Sequence, residues 1–530
     1  MSDQHASVPL DKAASSATTV EPHSGGEVEH DPHAHLASYP KRWAALAVIA
    51  IAQLVIVLDT SIMNVALPSA AEDLDISPAN IQWAVTAYTL AFGGLLLLGG
   101  RIADYLGRKR TFIIGLIGFA AASGLGGMAM NEGWLFGSRA LQGVFGALLA
   151  PAALSLITVM FVEPHERARA FGVFGAIAGG GAAIGLIAGG VLTEYLDWRW
   201  CLYVNVPIVI VTAIFAARIV PESKAAGDTR LDIPGAILAT GGLVALVYGF
   251  TEAAKQTTDA QGNPTTVGWT DPLVLTLFAV AVVALVLFVY LQTRVKNPLL
   301  PLRIVLDRNR GGSYLVFLLA GAGMFAMFLF LTLYFQDILG WEPLKTGFAM
   351  LPFSLGIIAM AGVVSRLLPK LGPKPLMIPG LAFATIGLLL LTRTSTEGSY
   401  WTQVFPGILV MSLGMAAVFI PVSSTALIGV GGHDAGIASA VLNTSQQIGG
   451  SLGLALLNTV AISAATDKIG DLVAGGANPK DPMTAATAQV HGFHTAYVWG
   501  AGFFAIALLI AAFVIVARRD SLPAEGAVAA

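Results

Sequence analysis

Long apolar runs recur along almost the whole chain, and the breaks between them carry charges, proline, asparagine or glycine. A helix that crosses a bilayer needs about 20 mostly apolar residues. Fourteen runs meet this requirement, and they lie at 43–67, 80–100, 111–130, 133–161, 168–192, 200–220, 233–252, 272–293, 312–337, 346–368, 375–392, 402–429, 435–463 and 495–517. The pattern therefore predicts an all-α polytopic membrane protein with fourteen transmembrane helices.

The composition leads to the same class of protein. Of the 530 residues, 55% are hydrophobic and 12% are charged, which is about half the charged share of a soluble domain. The net charge of −3 does not suggest a nucleic-acid partner. A single cysteine, Cys201, excludes an internal disulfide and a paired-cysteine metal site. We therefore expect the chain to be embedded in membrane lipid.

The polar N-terminal segment, residues 1–40, has no apolar core and so differs from a cleavable signal peptide. We expect a disordered cytoplasmic tail here and a second one at 519–530. Weak metal binding by the N-terminal histidines is the alternative. The histidines in question are His5, His23, His30, His33 and His35.

The positive charges predict the orientation of the helices. With the N-terminus inside, the cytoplasmic segments hold 22 of the 29 Lys and Arg residues, the external loops hold six, and Arg139 falls inside a span. This asymmetry is what the positive-inside rule expects. Both termini are therefore predicted to be cytoplasmic, which requires an even number of helices.

One acidic and one basic residue interrupt the apolar runs. Asp59 lies within LVIVLDTSIMNVALP at 54–68, and a lone charge at this depth costs a few kcal/mol. At 1.5 Å per residue, Asp59 lies roughly 24 Å and Arg139 roughly 21 Å from the inner face. We expect the two charges to be neighbours that exchange partners when a proton binds. A static pair that only fixes two helices is the alternative.

A loop motif occurs once in each half of the chain. The sequence GGRIADYLGRKRT at 99–111 has a weaker echo, SRLLPKLGPKP, at 365–375. The matched positions are Arg101 with Arg366, Gly107 with Gly372, and Lys109 with Lys374. Internal repeats of this kind are typical of secondary transporters, whose sites lie between the halves.

With three further motifs, the chain resembles the major facilitator superfamily and, within it, the 14-helix drug:proton antiporters. The motifs are RALQGVFGALLAPAAL at 139–154, DWRWCLYVNVPI at 197–208 and GIASAVLNTSQQIGGSLGLAL at 436–456, and the resemblance spans about 41–518. It implies two six-helix bundles, 41–220 and 311–518, with two additional helices in 221–310. It also implies export of lipophilic or cationic drugs across a bacterial cytoplasmic membrane, driven by protons and without a cofactor. The loop residues would then form a conformational latch: Gly100, Asp104, Gly107 and Arg108.

The fifth apolar run departs from the antiporter pattern at one position. Leu186 occupies the place of a proline that usually precedes a glycine pair in this branch. The glycine spacing that permits close helix packing is retained. The glycines are Gly181, Gly185, Gly189 and Gly190. Proton symport of a small metabolite therefore remains an alternative, as does a transport-inactive sensor or scaffold.

Soft and aromatic side chains in the C-terminal half suit a pocket for varied lipophilic molecules, although lipid contact or helix packing is the alternative for each. The candidate cavity residues are Asn64, Gln142, Phe325, Phe328, Met415 and Phe419. Asp337 and Glu252 lie near outer helix ends, where either could attract a cation or simply mark the membrane boundary. A nucleotide-binding glycine loop followed by lysine and a catalytic constellation are both absent from the sequence, so we expect neither an ATP-driven pump nor an enzyme.

Overall fold

The computed structural model describes residues 39–161, 163–224, 231–258, 264–296, 298–428, 430, 432–478 and 481–517. The predicted tail at 519–530 and nearly all of the predicted tail at 1–40, including its five histidines, lie outside these residues. Within the described residues the chain is almost entirely α-helical.

Fourteen long helices follow one another along the chain. They are α1 (Arg42–Asp73), α2 (Trp83–Leu106), α3 (Arg108–Gly127), α4 (Glu132–Met160), α5 (Pro164–Tyr195), α6 (Asn205–Ile219), α7 (Ile233–Ala253), α8 (Pro272–Gln292), α9 (Arg308–Leu333), α10 (Pro343–Leu371), α11 (Lys374–Leu391), α12 (Phe405–Ala426), α13 (Gly432–Ala474) and α14 (Pro482–Phe513). Short helices at Trp200–Tyr203 and Leu302–Val305 and π-helical turns at Tyr334–Ile338 and Tyr400–Val404 complete the helical structure of the described residues. A two-stranded antiparallel ribbon, β1 (Gln256–Thr258) and β2 (Pro264–Thr266), connects α7 to α8.

The helices agree with the predicted transmembrane segments. By length and composition, thirteen helical segments of the described chain can cross a membrane. The remaining long helix, α5, has 32 residues and packs against α1 and α10. Because consecutive spanning helices alternate in direction, the loops fall at two ends of the molecule. We call the end that contains residues 74–82, 128–131 and 339–342 the distal end, and the opposite end the proximal end.

The helices form two six-helix bundles with an inserted pair. In the first bundle α4 packs against α2 and α3, and α5 packs along α1. In the second bundle α13 packs against α9 and α14, and α11 packs along α12. Helices α7 and α8 pack on each other. The apolar residues between these helices form the core. In lipid, such a core is needed only where helices face one another.

The repeated loop has the same geometry in both bundles. Gly107 and Gly372 both adopt a positive φ, of 106° and 80°, which favours glycine. Lys109 Nζ donates to the carbonyl oxygen of Ala217 near the end of α6, at 2.8 Å. Lys374 Nζ donates to the carbonyl oxygen of Ala512 near the end of α14, at 2.7 Å. In each bundle a lysine therefore neutralises the negative end of the last helix.

The inserted pair contacts both bundles through α7. Thr251 Oγ1 accepts hydrogen bonds from Gln82 Nε2 at 2.9 Å and from Trp83 Nε1 at 3.0 Å, both at the start of α2. Thr459 Oγ1 of α13 donates to the carbonyl oxygen of Phe250 at 2.8 Å. By contrast, only 11% of the most apolar stretch of α8 is buried within the protein, so α8 faces lipid.

Four described hydrogen bonds join the two bundles directly, and all lie in the distal half of the molecule. The Thr89 and Ser451 hydroxyls lie 2.6 Å apart, Asn458 Nδ2 donates to Pro78 O, Gln336 Nε2 donates to Val65 O, and Leu344 N donates to Glu194 Oε2. Glycines bring the helices of this seam close together. A Cβ on Gly93 would lie 2.9 Å from Gln447 Cβ, and a Cβ on Gly190 would meet the backbone of Leu344.

Glycine at the contact between α9 and α13 provides a test of this packing. A Cβ on Gly449 would overlap the carbonyl oxygen of Leu318, whereas nothing lies within 4 Å of a Cβ on Gly502 in α14. We expect Gly449→Ala to lower the free energy of unfolding by about 1–3 kcal/mol, the usual cost of overpacking. Thermal unfolding in detergent checks this result, with Gly502→Ala as the matched control. Equal midpoints for both variants would contradict it.

Candidate functional site

A fully buried carboxylate lies within the first bundle. Asp59 of α1 is 1% exposed, and its two oxygens accept three hydrogen bonds. Arg139 Nη1 donates to Oδ2 at 2.6 Å, Gln142 Nε2 donates to Oδ1 at 3.0 Å, and Asn205 Nδ2 donates to Oδ1 at 2.8 Å. Because a carboxylate only accepts hydrogen bonds, all three of these groups act as donors to Asp59.

The guanidinium of Arg139 is held by more than Asp59. Its Nη1 also donates to Gln142 Oε1 at 2.7 Å, and its Nε donates to the carbonyl oxygen of Ala84 in α2 at 3.0 Å. The ring of Tyr88 lies 4.6 Å from the guanidinium carbon, a cation–π distance. Arg139 is 0% exposed, and its Nη2 has no hydrogen-bond partner among the described residues.

The network extends to α3 and α6 through Asn205. Besides its bond to Asp59, Asn205 Nδ2 donates to Ser123 Oγ at 3.1 Å, and Ser123 Oγ donates to the carbonyl oxygen of Leu202 at 2.8 Å. Five helices, α1, α2, α3, α4 and α6, therefore contribute a polar group to one buried cluster. We call the side chains of Asp59, Ser123, Arg139, Gln142 and Asn205 the Asp59 network.

Two glycines of α4 allow Arg139 to reach this position. A Cβ on Gly143 would lie 2.9 Å from Ala91 Cβ and would overlap the carbonyl oxygen of Tyr88, while one on Gly146 would lie 2.9 Å from Phe92. Helix α4 can therefore approach α2 closely enough for the guanidinium to lie against the Tyr88 ring. This close approach of α4 to α2 is the physical reason for the small residues that follow Arg139 in the sequence.

The network explains how an ion pair is tolerated without water. Two buried charges are stable only with close contact and additional hydrogen bonds. A proton on Asp59 would remove the negative charge, but Gln142 Oε1 would still accept from Arg139 Nη1. The arrangement therefore has two partners for one guanidinium, a carboxylate and an amide, which is what an exchange of partners requires. Whether Asp59 and Arg139 couple to protons stays a prediction.

The loop predicted to be a latch lies at the proximal end and binds the segment that follows α6. Arg108 Nη1 donates to Ser223 Oγ at 2.8 Å, and its backbone N donates to Ser223 O at 2.8 Å. Asp104 lies 3.4 Å from Arg108. A Cβ on Gly107 would lie 2.7 Å from Glu222 Oε1, and the predicted position Gly100 lies against Pro151 at an ordinary distance. These contacts join residues of the first bundle to one another and to the segment directly after it, and their latching role stays a prediction.

The glycines of α5 face two different helices. A Cβ on Gly181 would lie 3.0 Å from Leu54 Cδ1, one on Gly185 would lie 2.6 Å from Ser61 Cβ, and one on Gly189 would lie 2.9 Å from the carbonyl oxygen of Ile62. These three therefore pack α5 along α1. Gly190 instead faces α10 in the second bundle, as does the carbonyl oxygen of Leu186, which meets Gly347.

None of the six predicted cavity residues lines the cavity at the distal end of the molecule. Met415 is 0% exposed in the core of the second bundle, and Gln142 belongs to the Asp59 network. Phe328 packs on Phe353 and Phe419 on Phe317, while Phe325 packs on the core and Asn64 is half-buried. Their role in substrate binding stays a prediction.

A cavity of about 540 Å³ lies at the distal end, between the two bundles. Its polar lining residues are Ser69, Glu72, Gln336, Asp337, Glu342, Asn458 and Gln489, and Phe330, Trp341 and Phe493 contribute aromatic surface. Asp337 therefore lines this cavity, while its attraction for a cation stays a prediction. Glu252 does not, and it pairs with Lys255 at 3.2 Å instead.

Sequence reasoning missed Asn205, Ser123 and Tyr88. The signal for Asn205 was the same as for Asp59, a strongly polar residue inside an apolar run. Asn205 was present in the motif at 197–208 but was given no role. Among the described residues there is no group of three His, Cys, Asp or Glu side chains that could hold a metal ion.

The buried pair predicts non-additive stability. Asp59→Asn leaves the Arg139 charge unpaired, so we expect a loss of about 3–5 kcal/mol in the free energy of unfolding. The double variant Asp59→Asn/Arg139→Gln should lose much less than the sum of the two single variants. Unfolding in mixed micelles measures the cycle. The surface pair Glu252 and Lys255 is the control, with an expected coupling below about 1 kcal/mol. Additive losses at Asp59 and Arg139 would contradict the prediction.

Comparison with known proteins places the chain in a family. The profile of the Major Facilitator Superfamily matches residues 49–454. The puromycin resistance protein pur8 of Streptomyces alboniger is 46% identical over 491 residues, which cover 92% of this chain and 94% of that protein. The cephamycin export protein CmcT of Amycolatopsis lactamdurans is 37% identical over 81% of this chain and 87% of that protein.

The fold agrees with this match. A bacterial homologue of the human lysosomal transporter Spinster, solved in an inward-facing and occupied conformation, superimposes with a TM-score of 0.61. The two are 14% identical, and the match covers 92% of this chain and 100% of that one. At this identity the likeness shows the fold alone. From the profile match, the close relatives and the fourteen-helix fold, the chain belongs to the Major Facilitator Superfamily and is a multi-pass membrane protein.

Proposed function

We propose that this protein exports lipophilic or cationic antibiotic-like molecules across a bacterial cytoplasmic membrane in exchange for protons. The observation that carries the proposal is the Asp59 network, a buried carboxylate whose arginine partner has a second acceptor in Gln142. A group of this kind can take up a proton without leaving the arginine unpartnered. The proton gradient is the energy source, and no cofactor is required.

The names of the relatives support the direction and the kind of substrate. Besides the puromycin and cephamycin proteins, a lincomycin resistance protein of Streptomyces lincolnensis is 32% identical over 80% of this chain. The cephamycin protein is named for export, which is movement out of the cell. The chain covers most of each relative's length, so the same organisation is available to it.

The positive-inside rule gives the proposed orientation. The proximal end, which carries most Lys and Arg residues and both ends of the described chain, faces the cytoplasm, and the distal end faces outwards. The four hydrogen bonds between the bundles then close the outer half of the molecule. Transport follows from rocking of the bundles, which opens the outer seam and closes the inner one in turn.

The proton enters the cycle at Asp59. Protonation removes the attraction between Asp59 and Arg139, and deprotonation restores it. Because all groups of the network belong to the first bundle, the charge change alters the packing of α1 against α4 and α6. Access of water to Asp59 in one conformation and not in the other then couples proton binding to rocking. The substrate is a small molecule that leaves through the space between the bundles.

The first test measures proton release. In everted vesicles with an imposed proton gradient and a pH-sensitive dye, addition of puromycin or a lipophilic cation should release protons from vesicles that contain the wild type. Asp59→Asn should abolish the release because an amide cannot carry the proton. Asp73→Asn is the control, since this carboxylate lies at the exposed end of the same helix and pairs with Arg199.

The outcome also separates the alternatives. Proton release that survives Asp59→Asn would place the proton site elsewhere. Proton movement in the same direction as the substrate would establish symport, the reading that Leu186 left open. A complete lack of substrate movement across a panel of antibiotics and cationic dyes would contradict export and favour a sensor.

The distal cavity gives a second test, which concerns substrate charge. Asp337 lines the cavity, so Asp337→Asn should slow export of cationic substrates more than export of neutral ones. We expect a factor of about five, from the loss of about 1 kcal/mol of attraction in a hydrated cavity. Transport assays with a matched cationic and neutral pair measure it. Glu252→Gln is the control, because Glu252 pairs with Lys255 outside the cavity. An equal effect on both substrates would exclude a charge role for Asp337.

A further inference from the structure

We propose that the side-chain amide of Asn205 serves both protonation states of Asp59. In the ionised state its nitrogen donates to the carboxylate. After a half-turn about the Cβ–Cγ bond, its oxygen accepts from the carboxylic acid. Asn205 is then a positioning residue for proton binding. This inference rests on the proposed function, in which Asp59 carries the proton.

The present orientation of the amide is fixed by its neighbours. Ser123 Oγ donates its only hydrogen to the carbonyl oxygen of Leu202, at 2.8 Å. Its oxygen can therefore only accept, and Asn205 Nδ2 donates to it at 3.1 Å. The second amide hydrogen goes to Asp59 Oδ1 at 2.8 Å. Both hydrogens of the amide are thus used, one on Asp59 and one on Ser123.

The amide oxygen of Asn205 accepts no hydrogen bond from the described residues in this state. Asn205 is 0% exposed, and its Oδ1 has no hydrogen-bond partner among the described residues. Buried acceptors without a donor are uncommon because they lose their bonds to water without replacement. This unused acceptor is attached by one rotatable bond and lies next to a carboxylate that, in the proposed function, binds a proton. A half-turn about that bond gives the amide oxygen a second position, at the carboxylate.

Protonation supplies the donor that this oxygen lacks. A proton taken from water forms an O–H bond on Asp59 Oδ1, and the negative charge disappears. The new O–H group faces Asn205 Nδ2, which is itself a donor, so the old contact becomes repulsive. The half-turn places Asn205 Oδ1 there as acceptor, and Ser123 Oγ can turn its hydrogen from Leu202 to the same oxygen. On release the proton returns to water, and the amide turns back.

Gln142 cannot perform this role, although it also donates to Asp59. Its Oε1 accepts from Arg139 Nη1 at 2.7 Å, so a half-turn would place an NH₂ group against the guanidinium. Gln142 is therefore fixed by Arg139 in both states and keeps the guanidinium in place when Asp59 is neutral. Among the described residues, the hydrogen-bond partners of Asn205 are Asp59 and Ser123, so no guanidinium opposes a half-turn of its amide.

The test uses infrared difference spectroscopy on the full chain in lipid. The C=O stretch of protonated Asp59 is identified as the acidic band that Asp59→Asn removes. Asn205→Leu keeps the approximate volume but removes the acceptor, so we expect this band to move to higher wavenumber. Thr212→Val is the control, because Thr212 is buried on the same helix but bonds to its own backbone, at Ile208 O. The control should leave the band unchanged.

The rate of proton release gives a second readout. Substrate-triggered release should slow by about tenfold or more in Asn205→Leu, the factor that corresponds to one lost hydrogen bond to a charged group. A third measurement needs no variant of Asn205. With carbon-13 at the asparagine side-chain amide, one amide C=O band should shift when Asp59 is protonated, and Asp59→Asn should abolish that shift.

The outcomes distinguish this inference from the proposed function. An Asp59 band that is present but unaffected by Asn205→Leu, or an amide band that does not respond, would overturn the turning of Asn205 and leave it a fixed donor. A spectrum in which Asp59→Asn removes no acidic band would overturn the proton site itself.

Discussion

A charge pair that water cannot reach determines the arrangement of the first bundle. Asp59 and Arg139 compensate each other's charge in this position, and each also needs further hydrogen bonds. Because α1 and α4 do not supply enough partners, α2, α3 and α6 must bring theirs to the same point. The polar cluster thus fixes the relative rotation and height of five helices, which apolar packing alone specifies poorly in lipid.

Sequence reasoning predicted the helices and the contact between Asp59 and Arg139 for a simple reason. Both depend on position along the membrane normal, and a helix rises 1.5 Å per residue. The partners of Asn205 and the lining of the cavity depend instead on how each helix is rotated and tilted. Neither the rotation nor the tilt of a helix can be predicted from an apolar run that is hydrophobic on every face. Met415 illustrates this limit, since it lies at a plausible depth but faces the core of its own bundle.

The repeated loop shows what a motif can and cannot identify. The spacing of Gly107 and Lys109 was sufficient to find the matching residues in the second half, and both pairs have the same geometry. The partners Glu222 and Ser223 were not predicted, because they follow α6 and have no counterpart in the motif. A sequence repeat thus predicts the geometry that the two bundles share. It does not predict a contact that occurs in only one of them.

At two places in the seam between the bundles, backbone lies close to the opposite helix. Gly190 faces the backbone of Leu344, and Gly347 faces the carbonyl oxygen of Leu186. Surfaces of this kind can part and meet again without resetting many rotamers, so each closure costs little side-chain entropy. Contacts of this kind therefore guide the relative motion of the two bundles and add little to the energy barrier that opposes it.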